Sequence, residues 1–353
     1  MMKKQLRKIL VFIFLMSLFT AACSQGSPPK SDGGPAARNY FLFSTIITVR
    51  VYDEGMTDKH FDRIRELLEI VDQQMNRQLA GSEIDQVNAQ AGGGAVEVSE
   101  DTYAVVEQAL RFARLSDGAF DPTVGPLVDL WAIGNGGASV PPPDQIEAAL
   151  ALVGHERVEL EREKKTIRLN KRGMGLDLGA IAKGYAADLI AEYLTTEGFE
   201  SALIDLGGNI LAFGAKPGGE SWSIGIQDPA EQRGDHLGTL QAIDKTIVTS
   251  GVYERFFKTG GQVYHHILDP VGGYPFQNDL LSVTIVSDVS MVADALSTTV
   301  FGLGLDRGMA FVEQWEDAEA IFVTTDHEVY VTAGLQGRFQ LSHSGYRMPA
   351  GES

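Results

Sequence analysis

The ten residues Asp177-Leu-Gly-Ala-Ile-Ala-Lys-Gly-Tyr-Ala186 combine a carboxylate, two glycines and a lysine just before an apolar segment with helical spacing. The start of a helix offers unpaired backbone N–H groups and the positive end of the helix dipole, and Lys183 would stand one turn in. This pattern suits the binding of a phosphate group. A close approach of the chain to a packed helix would need the same glycines, so the block alone leaves both interpretations open.

A second candidate site lies in Ala293-Asp-Ala-Leu-Ser-Thr298, within an otherwise apolar segment of helical spacing. Asp294 and Thr298 are four residues apart and share a helix face, with Ser297 beside them. If these oxygens are buried, they need partners. One solution is a hydroxyl bonded to its own helix and a carboxylate paired with a basic side chain. The other is a hard cation such as Mg²⁺, which takes a few protein oxygens and adds water and phosphate.

The third candidate is Tyr264-His-His-Ile-Leu-Asp-Pro270, which predicts the end of a strand. Neighbouring side chains of a strand face opposite ways, so His265 and His266 cannot both point into one site; if one is functional, the other is expected at the surface. A single histidine here could be a base or purely structural. Two adjacent histidines do not have the spacing of a metal chelate, and the chain has a single cysteine, so zinc is disfavoured.

Two further stretches contain more glycine and polar residues than packing requires. The segment Ser116-Asp-Gly-Ala-Phe-Asp-Pro-Thr-Val-Gly-Pro-Leu127 predicts a turn after a helix, and its two prolines are expected to prevent further helix. The segment Asp205-Leu-Gly-Gly-Asn209 ends a predicted strand. It predicts either a plain hairpin turn or a place where the backbone approaches a ligand closely.

The elements that must position these groups alternate irregularly along the chain. Residue types and spacing predict strands over 46–52, 157–161, 166–170, 202–206, 209–213, 222–227, 237–243, 252–257, 263–268, 281–287, 321–325 and 328–332. They predict helices over 61–75, 101–115, 145–153, 187–194, 289–303 and 306–315. Since no regular βαβ repeat is present, the fold class is predicted to be α+β.

The chain begins with a basic segment, an almost wholly apolar run from Ile9 to Phe19, and small residues before Cys23. The run is shorter than the ~20 residues of a membrane-spanning helix and predicts a secretory signal peptide over 1–22. A cysteine after two alanines is typical of a lipoprotein, although Thr20 stands where a Leu-like residue is usual; a general signal peptide followed by a buried cysteine is the alternative. We therefore expect an extracytoplasmic lipoprotein, anchored at the inner or plasma membrane or its periplasmic face.

Composition bounds the remainder of the chain. Residues 23–38 are rich in Gly, Pro and Ser and predict a flexible linker, followed by one domain over 39–345 and a tail over 346–353. The net charge is −18 and becomes −22 when the four basic residues of the signal are removed. This negative charge argues against nucleic acid as a partner and against electrostatic binding to anionic lipid. With Cys23 lipidated no disulfide can form, so stability must come from the core.

Taken together, six blocks of the sequence resemble, in order and spacing, the ApbE family of FAD:protein FMN transferases. The blocks are Phe120-Asp-Pro-Thr-Val-Gly-Pro-Leu127, Asp177-Leu-Gly-Ala-Ile-Ala-Lys-Gly-Tyr-Ala186, Asp205-Leu-Gly-Gly-Asn209, Thr249-Ser-Gly251, His266-Ile-Leu-Asp-Pro270 and Ala293-Asp-Ala-Leu-Ser-Thr298. The resemblance covers nearly all of the mature chain. It implies a T-fold-like α+β architecture with FAD in a cleft, in a periplasmic or surface lipoprotein.

The resemblance also implies roles for particular residues. The implied FAD contacts are Phe43, Gln78, Ala119, Phe120, Asp121, Asp177, Lys183 and Ile267. The implied Mg²⁺ ligands are the backbone carbonyl of Ala180 and the side chains of Asp294 and Thr298, with Ser297 as a further candidate. His266 is the implied general base. An Ala180 carbonyl that binds a metal cannot be bonded inside a helix, so the following helix should begin after it or bend there.

The reaction implied by the resemblance moves FMN from FAD to a Thr or Ser hydroxyl of an acceptor protein, such as a membrane redox-complex subunit, and releases AMP. His266 would take the hydroxyl proton, while Mg²⁺ and Lys183 would hold the pyrophosphate. Two alternatives remain. An FAD pyrophosphatase would use water as the nucleophile at the same site and yield FMN and AMP. A non-catalytic FAD-binding lipoprotein would need neither the base nor the metal.

Three positions depart from the family pattern. Asp269-Pro-Val-Gly-Gly273 stands where the family usually has Asp-Pro-Arg-Thr-Gly, so a basic group is missing there. Phe43-Ser-Thr45 stands where Met-Gly-Thr is usual, and Gln78 stands where an aromatic residue is often found. Loss of that aromatic residue would weaken stacking on a flavin or adenine ring. These departures bear on FAD affinity more than on the type of reaction.

Overall fold

The structure is a computed structural model that describes residues 34–134, 139–231 and 234–349. The predicted signal peptide, Cys23 and most of the predicted linker lie outside these residues. Within the described ranges, no helix is both long enough and apolar enough to cross a membrane. From Pro35 onward the chain forms one compact unit.

In the described residues the strands form one large sheet and three small ones. Their bounds are β1 Ala36–Leu42, β2 Thr45–Val51, β3 Val96–Glu97, β4 Val158–Glu161, β5 Thr166–Leu169, β6 Ser201–Leu206, β7 Asn209–Gly214, β8 Trp222–Gln227, β9 His236–Ala242, β10 Lys245–Gly251, β11 Phe256–Thr259, β12 Gln262–His265, β13 Leu280–Ser287, β14 Ala318–Thr324, β15 Val329–Val331 and β16 Phe339–Leu341. The large sheet has the order β1-β2-β6-β7-β10-β13-β14-β15 and is antiparallel throughout. The small sheets are β16-β9-β8, β3-β5-β4 and the hairpin β11-β12.

Helices are interleaved with these strands. Their bounds are α1 Asp58–Met75, α2 Glu83–Ala89, α3 Glu100–Leu115, α4 Gly125–Trp131, α5 Pro143–Leu150, α6 Ala182–Thr196, α7 Ser290–Leu303 and α8 Leu305–Val312, with 3₁₀ turns at His155–Arg157 and Ala333–Leu335. All strand pairs of the named sheets are antiparallel, and helices cover the large sheet on one side. The prediction of an α+β fold is therefore confirmed.

Two local predictions are wrong. A single strand was expected over 252–257. Instead, β10 ends at Gly251, a turn follows, and β11 begins at Phe256. The two prolines after Phe120 were expected to prevent further helix. Instead, Pro126 lies in the first turn of α4, where the N–H that proline lacks would have no partner in any case.

Apolar faces determine how the layers stack. Helix α1 buries five side chains at helical spacing, namely Phe61, Ile64, Leu68, Val71 and Met75. Helices α1, α6 and α7 pack together on one face of the large sheet and enclose the main core with it. The opposite face packs against the sheet β16-β9-β8 and encloses a second core. A third apolar cluster lies around Trp131 of α4 and supports the hairpin β11-β12.

One end of the large sheet gathers several of the turns that the sequence analysis considered. Strands β6 and β7 are joined by the turn Gly207–Gly208, and β1 and β2 by the turn Phe43–Ser44. The two turns touch, because a Cβ added at Gly207 would lie 2.2 Å from Oγ1 of Thr45. Strand β10 is antiparallel to β7 and ends in the same region with Ser250 near its last residue. This end of the sheet positions the candidate site.

Candidate active site

The turn ahead of α6 leaves one backbone carbonyl free. Helix α6 begins at Ala182, whose N–H donates to the carbonyl of Leu178 at 2.9 Å. The N–H of Gly184 would reach the carbonyl of Ala180 in a regular helix, but it donates to Oδ2 of Asp294 at 2.9 Å instead. Among the hydrogen bonds of the described residues, none reaches the Ala180 carbonyl. The helix thus begins after Ala180, as the metal prediction requires, while the ligand role stays a prediction.

Asp294 is a buried carboxylate in the middle of α7. Only 4% of the residue is exposed. Its Oδ2 accepts the N–H of Gly184, and its Oδ1 lies 3.5 Å from Nζ of Lys183. The Lys183 ammonium also donates to the carbonyl of Gly179 at 3.2 Å. Its side chain is 27% exposed, so the ammonium lies between the buried carboxylate and solvent. The structure therefore brings two predicted site residues, 111 positions apart in sequence, into contact.

Three hydroxyl groups extend this cluster. Oγ of Ser250, on β10, lies 2.9 Å from Oγ of Ser297 and 3.3 Å from Oγ1 of Thr298. Ser297 is fully buried and donates to the carbonyl of Asp294 at 2.8 Å. Thr298 is half-buried. Because Ser297 is fully buried and Thr298 is half-buried, Thr298 is the better placed of the two to meet a ligand.

The oxygens gathered here fit a hard cation. The set consists of the free Ala180 carbonyl, the Asp294 carboxylate and the Thr298 hydroxyl, with the Ser250 hydroxyl beside them. Mg²⁺ is commonly bound by a few such oxygens together with water and substrate phosphate. Within the described ranges, no group of three or more His, Cys, Asp or Glu side chains could hold a metal ion by itself. A softer metal that needs several histidine or cysteine ligands therefore has no site among these residues.

The close crossing of α6 and α7 holds the cluster together. A Cβ added at Gly184 would lie 2.2 Å from the carbonyl oxygen of Ser290, so only glycine permits this approach. Asp188, one turn further along α6, accepts the N–H groups of Ser290 and Met291, both at 2.8 Å. It thereby caps the start of α7, although burial raises its pKa to about 6. These contacts explain why the Ala180 turn faces Asp294.

Asp177 is held by Arg77, a residue that was not among the predicted site residues. Its Oδ1 accepts the N–H of Gly179 at 2.8 Å, and its Oδ2 lies 3.7 Å from Nε of Arg77. The same guanidinium donates two hydrogen bonds to Asp129, at 2.8 and 2.6 Å. Gln78 follows directly and is exposed. One feature of the sequence could have indicated this role: Arg77 directly precedes Gln78, a predicted FAD contact.

The three predicted flavin contacts that follow α3, namely Ala119, Phe120 and Asp121, differ in how far they are buried and in what they contact. Oδ1 of Asp121 accepts the N–H and the hydroxyl of Thr123, at 2.8 and 2.6 Å, and Oδ2 accepts the backbone N–H of His155 at 3.0 Å. Phe120 is 4% exposed and packs against Phe112. Both side chains therefore point into the protein. Ala119 is half-buried, so contact with a flavin is open to it and to the backbone of this segment.

Of the two adjacent histidines, His265 has a structural position. It is 4% exposed, its Nε2 lies 2.9 Å from the carbonyl of Phe276, and its ring meets Phe301 edge-on. The expectation that the histidine outside the site lies at the surface is therefore wrong, because His265 is buried. Burial, despite this hydrogen bond, lowers the pKa of His265. Ile267, a predicted FAD contact, is also buried, with its N–H 3.3 Å from Nδ1 of His265.

His266 is half-buried and held by a single backbone carbonyl. Its N–H donates to the carbonyl of Arg255 at 3.0 Å, and its Nδ1 lies 3.3 Å from the same oxygen. A carbonyl only accepts, so Nδ1 carries the proton and Nε2 is free to take another. Burial, followed by the charges of Arg255 and other groups including Lys183, holds the pKa of His266 well below its ordinary value. The imidazole is thus neutral and available as a base.

Phe43 lies in a turn with a constrained backbone. Both Phe43 and Ser44 have left-handed backbone conformations, with φ of 52° and 57°. Phe43 packs partly against the main core. The neighbouring turn at Gly207 and Gly208 is an ordinary hairpin turn, in which Oδ1 of Asp205 accepts the N–H of Gly208 at 2.8 Å. The hairpin turn predicted for that block is observed, while a contact of its backbone with a ligand stays a prediction.

The fold and the site define a class of protein: an α+β domain with a cluster of hard oxygens, a lysine at a helix start and a neutral histidine, as suits chemistry on a phosphate group. The family model for ApbE matches residues 43–322. The chain belongs to the ApbE family.

Three similar proteins illustrate the relationship. The FAD:protein FMN transferase of Klebsiella pneumoniae is 38% identical over 320 residues, which are 90% of this chain and 98% of the relative. The FAD:protein FMN transferase of Treponema pallidum is 38% identical over 321 residues, 86% of this chain and 89% of that relative. The crystal structure of an ApbE protein from Thermotoga maritima superposes with a TM-score of 0.78 at 32% identity and covers 86% of this chain and 99% of that one.

Proposed function

We propose that this protein is an FAD:protein FMN transferase, which moves FMN from FAD to a Thr or Ser hydroxyl of an acceptor protein, forms a phosphoester and releases AMP. The observation that carries the proposal is the free Ala180 carbonyl beside Lys183 and Asp294, created by the hydrogen bond from Gly184 to Asp294 at 2.9 Å. The names of two relatives that match most of the chain describe the transfer of FMN from FAD to a protein.

The proposed cofactor is Mg²⁺, held by the Ala180 carbonyl, Asp294 and Thr298, with Ser297 as a supporting hydroxyl. Each of these oxygens lies in the cluster around α6 and α7. When bound, the ion would supply positive charge to the FAD pyrophosphate and to the leaving AMP. The protein itself provides only one carboxylate there, so the substrate phosphates would supply the rest of the negative charge.

The protein side chains have separate tasks in this proposal. Lys183 holds phosphate oxygens of FAD, and Asp177, kept in place by Arg77, fixes the turn that carries the Ala180 carbonyl. Nε2 of His266 takes the proton of the acceptor hydroxyl. The hydroxyl oxygen then forms a bond to the FMN-side phosphorus as the bond from that phosphorus to the AMP oxygen breaks.

The N-terminal pattern extends the proposal to location. A signal peptide over 1–22 and lipidation at Cys23 would place the domain outside the cytoplasm on a membrane. Residues 23–35, the part of the predicted linker that precedes β1, would span up to ~45 Å when extended. A membrane redox-complex subunit is within such a reach, and we propose this class as the acceptor. Replacement of Cys23 by serine should release active protein from the membrane fraction; continued sedimentation with membranes would contradict anchoring by lipid.

The central test is a transfer assay with His266→Asn. The mature protein is incubated with FAD, Mg²⁺ and a candidate acceptor domain, and covalent FMN on the acceptor is measured by mass spectrometry. His266→Asn should bind FAD normally and lose transfer, since Nε2 no longer accepts a proton. His343→Asn is a matched control, because this exposed histidine follows β16. Full transfer by His266→Asn would remove His266 from the role of base.

The same assay separates the alternatives. Covalent FMN on the acceptor supports the transferase. Free FMN and AMP without an adduct would indicate an FAD pyrophosphatase with water as the nucleophile. Intact FAD would indicate an FAD-binding lipoprotein without catalysis.

Magnesium dependence is tested at Thr298. Thr298→Val removes the hydroxyl while keeping the shape, so the Mg²⁺ concentration needed for half-maximal transfer should rise about tenfold, the effect of losing about 1.4 kcal/mol. Thr298→Ser keeps the hydroxyl and should behave like the unchanged protein. Mg²⁺-dependent thermal stabilisation of the protein with FAD gives a second readout. Equal Mg²⁺ dependence in both variants would remove Thr298 from the ligand set.

A further inference from the structure

Arg255 lies directly opposite His266 in the hairpin β11-β12. Strand pairing joins Phe256 to His265, and the bond from His266 N–H to the Arg255 carbonyl at 3.0 Å continues it by one position. Residues directly opposite each other in an antiparallel pair have Cβ atoms about 4.5–5.5 Å apart and share a face of the sheet. The Arg255 side chain therefore starts beside the imidazole of His266.

The guanidinium of Arg255 has no ion pair or hydrogen bond with any residue in the described ranges. Some arginines of the described residues are paired with carboxylates, such as Arg38, Arg77 and Arg347, whereas Arg50 and Arg307 have no ion pair there either. What distinguishes Arg255 is its position opposite His266. A planar guanidinium offers five N–H donors and matches the oxygens of a phosphate in a bidentate geometry.

The chain around Gly134 restricts the positions that the Arg255 side chain can take. Gly134 has a left-handed φ of 92°, and a Cβ added there would lie 3.1 Å from Cδ of Arg255. The aliphatic part of Arg255 is thus pressed against the chain that follows α4. The ammonium of Lys183 also acts electrostatically on the imidazole of His266. Two cationic side chains therefore influence the base, in a protein whose net charge is −18.

We propose that Arg255 is a substrate contact, whose guanidinium binds the non-bridging oxygens of the FMN-side phosphate of FAD. The inference rests on the proposed function, and deepens it by naming the group that holds the attacked phosphorus next to the base. The acceptor hydroxyl must reach both His266 and this phosphorus, so a cation fixed beside His266 is close to the reacting centre. Lys183, near the Ala180 turn, is left to bind the rest of the pyrophosphate.

Binding measurements test the contact without using catalysis. FAD and riboflavin are titrated by flavin fluorescence into the mature protein and its variants with Mg²⁺ present; riboflavin lacks the phosphates. Arg255→Gln should weaken FAD binding about tenfold and leave riboflavin binding unchanged. Lys258→Gln is the matched control, because Lys258 is exposed on the same hairpin, removes the same charge and lies on the opposite face. Unchanged FAD binding by Arg255→Gln, or equal weakening of both flavins, would overturn the proposal.

The transfer rate gives the second readout. At saturating FAD, Arg255→Gln should transfer FMN about 10²-fold more slowly, a loss typical of removing one donor to a developing anion. Arg255→Ala should regain part of its rate when guanidinium ions are added in millimolar amounts, which a purely structural defect would not do. No rescue together with an unchanged rate in Arg255→Gln would count against the contact. If the unchanged protein forms no adduct, the proposed function fails, whereas the two flavin titrations still decide the role of Arg255.

Discussion

Gly184→Ala is the most informative single change, because it acts on the crossing of α6 and α7 without removing a functional group. The new Cβ would lie 2.2 Å from the carbonyl oxygen of Ser290, whereas ordinary contact begins at 3.4 Å. The helices must therefore separate by roughly 1.2 Å, the difference between these two distances. The separation would strain the bond from Gly184 N–H to Asp294, now 2.9 Å long, and carry the Ala180 carbonyl away from the carboxylate.

Three effects determine the expected change in the free energy of unfolding: two lower it and one raises it. Overpacking a tight interface costs about 1–3 kcal/mol. Weakening a hydrogen bond to a buried carboxylate costs about 1.5–3 kcal/mol when the bond is lost completely. Replacing glycine by alanine inside a helix contributes about 1 kcal/mol in the other direction. We expect Gly184→Ala to lower the free energy of unfolding by about 2–4 kcal/mol.

Urea unfolding followed by circular dichroism measures this loss, and the transfer assay measures its effect on the site. Gly94→Ala is the control, since a Cβ there meets nothing within 4 Å and the backbone is not left-handed. The control should change stability by less than about 0.5 kcal/mol. If Gly184→Ala were as stable as the unchanged protein and needed the same Mg²⁺ concentration, the close helix crossing would not be what positions the site.

Three further predictions concern the supporting structure. Ser44 has a left-handed φ of 57°; Ser44→Gly should raise the free energy of unfolding by about 0.5–1 kcal/mol, and a loss in urea unfolding would contradict strain there. Nε1 of Trp131 donates to the buried carbonyl of Gly273 at 2.8 Å; Trp131→Phe should cost about 2–3 kcal/mol by leaving it unpaired, and a thermal melt like that of the unchanged protein would refute this. The hydrogen bond with Asp121 raises the pKa of His155, so the stabilisation is complete below the unfolded pKa of about 6.5 and is lost as pH rises through the folded value. The stability difference between the unchanged protein and His155→Gln should therefore be larger at pH 6 than at pH 8.5, and an equal difference at both would exclude the linkage.

Part of the fold was predictable because its signals are local. The apolar spacing over 61–75 lies within α1, and the requirement for a free Ala180 carbonyl agrees with the start of α6 at Ala182. The strand β10 was missed because its residues Thr246, Ile247 and Val248 are all buried, so no alternation of exposed and buried positions marked it. The short polar ends of that strand resembled a loop.

The site was predictable in residue type but not in direction. Asp294 and Lys183 were singled out separately, and their contact depends on the crossing of two helices that local pattern does not encode. The carboxylate of Asp121 is turned to Thr123 and His155, an orientation that the residue type does not indicate, and its flavin contact stays a prediction. The sequence does not show in which direction a carboxylate side chain points. Arg255 was overlooked because its link to His266 runs through a backbone carbonyl, which no residue type reveals.

The two halves of the site are carried by different secondary-structure elements. Hydrogen bonds at Asp188 and Gly184 join α6 to α7 at two levels, so Lys183, Asp294 and Thr298 stand on two directly bonded helices. Arg255 and His266 directly flank the hairpin β11-β12, which shares no strand with the large sheet and rests on the cluster around Trp131. Under the proposed roles, changes in the hairpin would alter the speed of FMN transfer without altering metal binding. Such a division would let the enzyme accommodate new acceptor proteins by changes in one short hairpin, while the groups that bind the nucleotide stay the same.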